Sequence, residues 1–303
     1  MRTSDLSGLL QQLTGELDNF EAIAKYLLPQ PGEVPTLQGI DVWGGIVPLS
    51  GVVGGDHIVY IDFKQRFDLQ ARIAHATGRG KLTVVENLRR CQRTAGMAVI
   101  DVSGHLVTDA LLAAMLHQAF LLGSIYELDI SGQITKRLFE NLNTRFYKSS
   151  GENKFVSMIY GEISEDSRFR FLSAAQPFPA VFSFEHDRLM EVSPDFCISF
   201  PPLGLMPSLG IDRNATRSTL GFTDSYQMNE WSLMGAGDIL LIHTDGLVEH
   251  GTPDDRYFPH HLERKLREVK HQGARAIFDA VKEDLRAFAA QSDDISLVVI
   301  KRT

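Results

Sequence analysis

The 303 residues are enough for one large domain or two small ones. Hydrophobic residues at 44% and charged residues at 22% match an ordinary soluble globular chain and exclude a disordered or collagen-like one. A net charge of −8 argues against nucleic acid as the main partner, and two cysteines without CxxC spacing, Cys91 and Cys197, read as reduced thiols of a cytoplasmic protein. Met1–Asn19 mixes polar and acidic residues with leucines, unlike a signal peptide. The most apolar window, Ala110–Leu122, contains His117 and Gln118 and is short for a bilayer, so no membrane association is expected.

Leu6, Leu10, Leu13, Leu17, Phe20, Ala24 and Leu27 recur at steps of four and three, which predicts an amphipathic helix over residues 1–30. Two readings are open: a helix packed on its own domain, or a parallel coiled coil joining two copies in a homodimer. Pro29, Pro31 and Pro35 end the helix, and residues 31–303 form the main domain. Gly39–Pro48 and His57–Phe63 read as a first pair of strands. Residues 64–94 then carry eight Lys/Arg against Asp68 and Glu86, a local charge of +6 that leaves −14 on the rest. That stretch is either a solvated helical face or a docking surface for an acidic or phosphorylated protein.

Met97–Asp101 reads as a buried strand delivering a carboxylate at its tip, followed by a Ser103-Gly104 turn and a buried helix over Thr108–Phe120. A second buried helix lies within Ile130–Tyr147. Strands follow at Lys154–Ile163, Arg168–Ala174 and Ala180–Phe184, spaced as antiparallel hairpins. Ser199–Asn229, rich in Pro, Gly and polar residues, is either a flap or a plain surface connection. Asp238–Asp245 is an apolar strand ending in Asp-Gly; Tyr257–Val269 and Ala274–Phe288 are amphipathic helices, and Asp294–Ile300 closes a sheet.

Charge at the end of a core strand is costly unless paired or coordinated. Asp101 has company: Asp56 follows two glycines, Asp245 ends a strand, and Asp293-Asp294 precede the last one. Any one of these could be a turn residue or helix cap. Four such placements of hard oxygen ligands suit Mg²⁺ or Mn²⁺ rather than zinc. His105, close to Asp101, has a suitable intrinsic pKa for a general acid, while His243 lies inside an apolar strand and reads as a core histidine.

Gly-Gly-Asp (54–56), Asp-Val-Ser-Gly-His (101–105), Thr-Asp-Gly-Leu-Val-Glu (244–249) and Asp-Asp-Ile-Ser (293–296), in that order, resemble the signature blocks of the bacterial SpoIIE/RsbU-type serine/threonine phosphatases of the PP2C-like superfamily. Phe155–Gly161 and Pro202-Leu203-Gly204 fall where that family has comparable segments, so the resemblance runs from about Tyr26 to the C-terminus. It implies an α+β fold, a four-layer αββα sandwich of two antiparallel sheets flanked by helices. It also implies two Mn²⁺ or Mg²⁺ ions. Asp101 would bridge them, the Val102 carbonyl would bind one, Asp245 and Asp293 would complete the other, and Asp56 would join directly or through water. Asp294 would be a ligand or would orient its neighbour. The implied activity is hydrolysis of a phosphoserine or phosphothreonine by a metal-activated water, on an anti-sigma-factor antagonist in a partner-switching pathway. In the resembled family such a helix as 1–30 often links a sensory domain to the phosphatase domain. The family has a short turn where residues 64–94 stand, so these read as an insertion near the metal site.

Three departures bear on this expectation: Leu106 where Gly is usual, His57-Ile58-Val59-Tyr60 after Gly-Gly-Asp, and Gln176 in place of the His of Asn-Ala-Gly-His-Pro, expected to alter the rim of the site. They keep open an alternative, a catalytically weak or inactive phosphoprotein-binding module of the same fold. A cyclic-dinucleotide synthase, suggested by Gly-Gly-Asp alone, lacks the following Glu-Phe.

Overall fold

The computed structural model describes residues 3–24, 33–49, 55–103, 107–149, 154–193, 195, 197–208, 220–232 and 235–303. Three strands in its middle set the architecture: β2 (Asp56–Asp62), β3 (Thr94–Val102) and β4 (Val156–Ser164), each buried along almost its whole length. Continuous burial means that both faces are covered, which is why these segments read as apolar runs rather than alternating ones. They form a sheet ordered β2-β3-β4-β5-β8 with β5 (Phe169–Ala174) and β8 (Ser199–Phe200); β9 (Asn229–Trp231) also pairs with β5. The other sheet runs β1 (Ile40–Val47), β11 (Ile295–Arg302), β10 (Ile239–His243), β6 (Ala180–Ser183) and β7 (Arg188–Met190). Every pairing between these strands is antiparallel except β5 with β8.

Successive side chains on a strand point to opposite faces, and here each face has its own apolar cluster. Ile58, Tyr60, Met97, Val99 and Ile159 meet Val42, Leu240, Ile242 and Val298 between the sheets. Their neighbours Ile61, Ala98, Ile100, Met158 and Tyr160 face outward onto α3 (Leu69–Gly78), α4 (Leu82–Cys91), α5 (Val107–Ser131) and α6 (Lys136–Ser149). On the far side Leu241, Leu297 and Val299 pack against α8 (Leu262–Val269) and α9 (Ala274–Phe288). The layers are therefore helix, sheet, sheet, helix, as the resemblance implies.

Helix α5 joins the site to this core. It packs through Leu116, Phe120 and Leu128 on the sheet and leaves Leu111, Met115, Leu122, Tyr126 and Ile130 exposed. Its apolar stretch, Asp109–Ser131, is longer than the sequence window suggests and is long and apolar enough to cross a membrane by length and composition alone. Helix α1 (Thr3–Ala24) touches α5 and exposes Leu9, Leu10, Leu13, Leu17 and Ile23. Of its seam, Leu10, Leu13 and Leu17 are therefore not covered by its own domain, while residues 25–32, with Leu27, Pro29 and Pro31, lie outside the described residues.

Three expectations need correction. First, β1 and β2 do not pair, because the chain crosses between sheets after Val47; β1 pairs with β11 and β2 with β3. Second, the basic segment folds into a short α2 (Phe63–Arg66) followed by α3 and α4, with Asp62 and Asp68 accepting N-terminal amides as caps. It stands at the opposite end of the β2–β3 pair from Asp56 and Asp101, since Asp62 pairs with Ala95 and Asp56 with Asp101. Six residue steps at ~3.3 Å place it about 20 Å away along the strands, not beside the site. Third, of the two readings of 199–229, a flap or a surface connection, the flap does not hold for 204–208: Asn143 donates to the Met206 carbonyl and Ser208 and accepts from Gly204 N, fastening that part to α6. Residues 209–219 of that stretch lie outside the described residues.

Candidate metal centre

The β2–β3–β4 register places Asp56 opposite Asp101 and Asp101 opposite Ser157. Directly opposed residues of antiparallel strands share a face. By parity with Val99 and Ile58, that face is the one turned to the other sheet. The two carboxylates therefore lie at the end of the inter-sheet core, where β3 stops at Val102. Ser157 Oγ donates to Asp101 Oδ2 at 3.0 Å.

From the other sheet, β10 ends at His243, Thr244 caps α7 (Asp245–Glu249), and Asp245 is its first residue. Thr244 Oγ1 donates to Asp56 Oδ2 at 2.9 Å and accepts from Ser296 N at 3.0 Å, so it links the sheets. Gly246 follows because a Cβ there would stand 2.0 Å from the Asp294 carbonyl oxygen. Asp294, buried, accepts Leu49 N at 2.7 Å on Oδ1 and Gly55 N at 2.9 Å on Oδ2, tying both flanks of the β1–β2 connection. Asp293 Oδ1 accepts Asp294 N at 2.8 Å.

The Asp294 carboxylate is thus bonded to Leu49 and Gly55 rather than to its neighbour Asp293, which it meets through its backbone N–H. Sequence reasoning passed over Thr244 and Ser157 as individual groups, although both stand inside recognised blocks. Gln176, which stands where the resembled family has His, is expected to alter the rim of the site. It is instead buried, with its Nε2 2.9 Å from Ser157 Oγ. His105, with Gly104 and Leu106, lies outside the described residues. His243 is a core residue, its Nδ1 3.1 Å from the Thr244 carbonyl, and burial lowers its pKa to about 4. His57 is also buried, 2.6 Å from His117 of α5, and burial lowers it to about 3.

Electrostatics say what the cluster lacks. Burial, then Asp101, pushes the Asp56 carboxyl well above the usual carboxylate range. Burial, then Asp245, pushes Asp101 up to about 6, with Asp293 and Asp294 adding to it. Asp245 is raised by burial and by Glu249. The charges acting most strongly on Asp101 are carboxylates, a repulsion that a cation would relieve. Among the described residues no group of three already surrounds one point as a finished metal cage. The donors are hard oxygens, without Cys or His, and so fit Mg²⁺ or Mn²⁺. Lys154 serves the approach to α5, donating to the Ser103 carbonyl at 2.8 Å and to the buried Asp109 at 2.6 Å.

A four-layer αββα sandwich with acidic strand ends gathered at one edge of its central core defines the PP2C class of fold. The model of the family "Stage II sporulation protein E (SpoIIE)" matches residues 92–303, well over half of the chain. This chain belongs to the SpoIIE family. The match includes Asp101, Val102, Asp245, Asp293 and Asp294, whereas Asp56 precedes it and owes its place to the β2–β3 register. The SiaA PP2C domain of Pseudomonas aeruginosa is similar over 98% of both chains, at 15% identity and a TM-score of 0.62. The RsbU and RsbW domains of a Mycobacterium tuberculosis protein are similar over 90% of this chain, at 19% identity and a TM-score of 0.59; the chain spans 64% of that structure. RsbX in complex with magnesium is similar over 89% of this chain and 98% of its own, at 13% identity and a TM-score of 0.51. At these identities the likeness is one of fold. No curated protein sequence matches the chain.

Proposed function

We propose that this protein is a metal-dependent protein serine/threonine phosphatase. The observation that carries the proposal is the opposed pair Asp56 and Asp101, with Asp245 and Asp293 near Asp101, both carboxyls raised first by burial and then by neighbouring carboxylates, Asp101 acting on Asp56 and Asp245 on Asp101. Asp101 would be shared between two Mn²⁺ or Mg²⁺ ions, with the Val102 carbonyl, Asp245, Asp293 and Asp56 as the other donors. Divalent cations held there supply positive charge for the phosphoryl oxygens and acidify water. RsbX, of the same fold, is in complex with magnesium, which supports the choice of ion.

The chain's own residues do the positioning. Thr244 holds Asp56, Ser157 holds Asp101, and Asp294 keeps the β1–β2 connection against the site. His105 is proposed as the acid that protonates the leaving serine or threonine oxygen. Membership in the SpoIIE family and the likeness to a structure joining RsbU and RsbW domains support a phosphorylated anti-sigma-factor antagonist as substrate, within partner switching. The exposed leucines of α1 support a homodimer through that helix, and two free cysteines agree with a cytoplasmic location.

The test is p-nitrophenyl phosphate hydrolysis with Mn²⁺, Mg²⁺ or EDTA. Activity should require metal and fall at least ~100-fold in Asp101→Asn, beyond what loss of a supporting residue costs. A folded protein inactive with either ion, yet able to retain a phosphoprotein, would instead establish the binding-module reading that Leu106 and Gln176 leave open.

A further inference from the structure

The proposed function assigns the carboxylates but leaves open what decides how the bridging one is turned. Behind Asp101, on the side of β4 and the turn after β5, lies a buried polar chain. Gln176 Nε2 is 2.9 Å from Ser157 Oγ, and Ser157 Oγ is 3.0 Å from Asp101 Oδ2. Gln176 is 4% exposed and Ser157 8%. Gln176 is held through its main chain: Ser173 Oγ donates to its backbone carbonyl at 2.8 Å, and Ala175 before it takes a left-handed φ of 61°. Such a conformation is costly outside glycine, so the turn is kept by its surroundings.

Proton accounting gives the chain a direction. An ionised carboxylate only accepts, and an amide nitrogen only donates. Ser157 has one hydroxyl proton. When its oxygen accepts from Gln176, that proton is left for Asp101, and the carboxylate oxygen is nearer than the Asp101 backbone carbonyl at 3.3 Å. An amide has no titratable proton at physiological pH, so this polarity holds wherever Asp101 is ionised.

We infer that Gln176 and Ser157 form a one-way relay that positions the Asp101 carboxylate for its ions. Both are positioning residues, and the inference rests on the reading of Asp101 as a metal ligand. Outer partners of this kind typically change metal affinity by ~10–100-fold.

The experiment is Mn²⁺ titration by calorimetry on the wild type and on Asp101→Asn, Ser157→Ala, Ser157→Thr, Gln176→Met, Gln176→Glu and the Ser157→Ala/Gln176→Met pair, each checked for folding by circular dichroism. Ser157→Ala should bind ~10–100-fold more weakly, while Ser157→Thr, which keeps the hydroxyl, should stay within about threefold. Gln176→Met should weaken binding alone yet add almost nothing in the Ser157→Ala background, because the relay is already cut. Gln176→Glu should be worse than Gln176→Met, since a carboxylate there accepts the Ser157 proton and turns it from Asp101.

Unchanged affinity in Ser157→Ala and Gln176→Met, with loss in Asp101→Asn, would overturn the relay and leave the metal site standing. Full additivity in the pair would overturn it as well. If Ser157→Ala does not fold, a tenfold loss in Ser157→Thr decides against the relay. A wild type that binds no Mn²⁺ would overturn the metal reading and the relay together.

Discussion

Asp101 is held at a cost in the metal-free protein. Its carboxyl is raised to about 6 by burial and by Asp245, so the native state binds its proton more tightly than the unfolded chain does. The sign follows: the group's contribution to stability is fully present below the ordinary carboxylate pKa and is lost as pH rises through about 6. In EDTA, Asp101→Asn should be more stable than wild type at pH 7.5, by on the order of 2 kcal/mol, and the advantage should vanish near pH 4. Urea unfolding at both pH values measures this. Added Mn²⁺ should raise the wild-type midpoint and leave the mutant's unchanged. Gly246 is the other telling single residue. Gly246→Ala drives a methyl into the Asp294 carbonyl and should cost ~1–3 kcal/mol by thermal unfolding, together with phosphatase activity, because α7 carries Asp245.

At the scale of elements, the basic helices α2 to α4 are the clearest departure from expectation. Their charge was legible in the sequence, but their position was not, because position depends on which end of the β2–β3 pair the residues leave. Much of that charge is already used within the chain: Arg90 pairs with Glu86, Arg93 with Glu165, Arg66 with Glu33 and Arg72 with Asp129. Replacing Arg89, Arg90 and Arg93 by Ser should therefore leave hydrolysis of a small aryl phosphate unchanged at a site about 20 Å off. A fall in turnover of the phosphoprotein substrate alone is expected if the helices dock it; equal rates on both substrates would remove them from recognition. Helix α1 gives a second test at this scale. Leu10→Lys with Leu13→Lys places charge on its exposed seam and should convert a dimer to a monomer in sedimentation, without unfolding the sandwich.

Across the whole molecule, the layers were legible because burial on both faces leaves unbroken apolar runs, as in Met97–Ile100, and period-3.6 stripes, as in α9. The acidic strand ends were legible because charge beside such runs is rare. Partnering was not. Nothing local distinguishes β1 pairing with β2 from β1 pairing with β11, more than 240 residues later, and the parallel contact of the two-residue β8 has no pattern to read. The roles of Gln176, Thr244 and Asp294 were hidden for the same reason: each acts on a residue distant in sequence. Supporting groups of this kind are defined by contacts, whereas ligands announce themselves by type.

The acids come in two pairs, and the pairs belong to different layers: Asp56 and Asp101 end strands of one sheet, while Asp245 and Asp293 flank strands of the other. An ion held among them is thus a rivet through two plates. Its grip reports how the plates are aligned, so any slip of one sheet over the other changes ion affinity without disturbing either sheet internally. Trimming the filling between the plates, by Val99→Ala or Trp231→Phe, should loosen Mn²⁺ binding though neither side chain is a donor. Packing and ion occupancy would then be two readings of a single mechanical alignment.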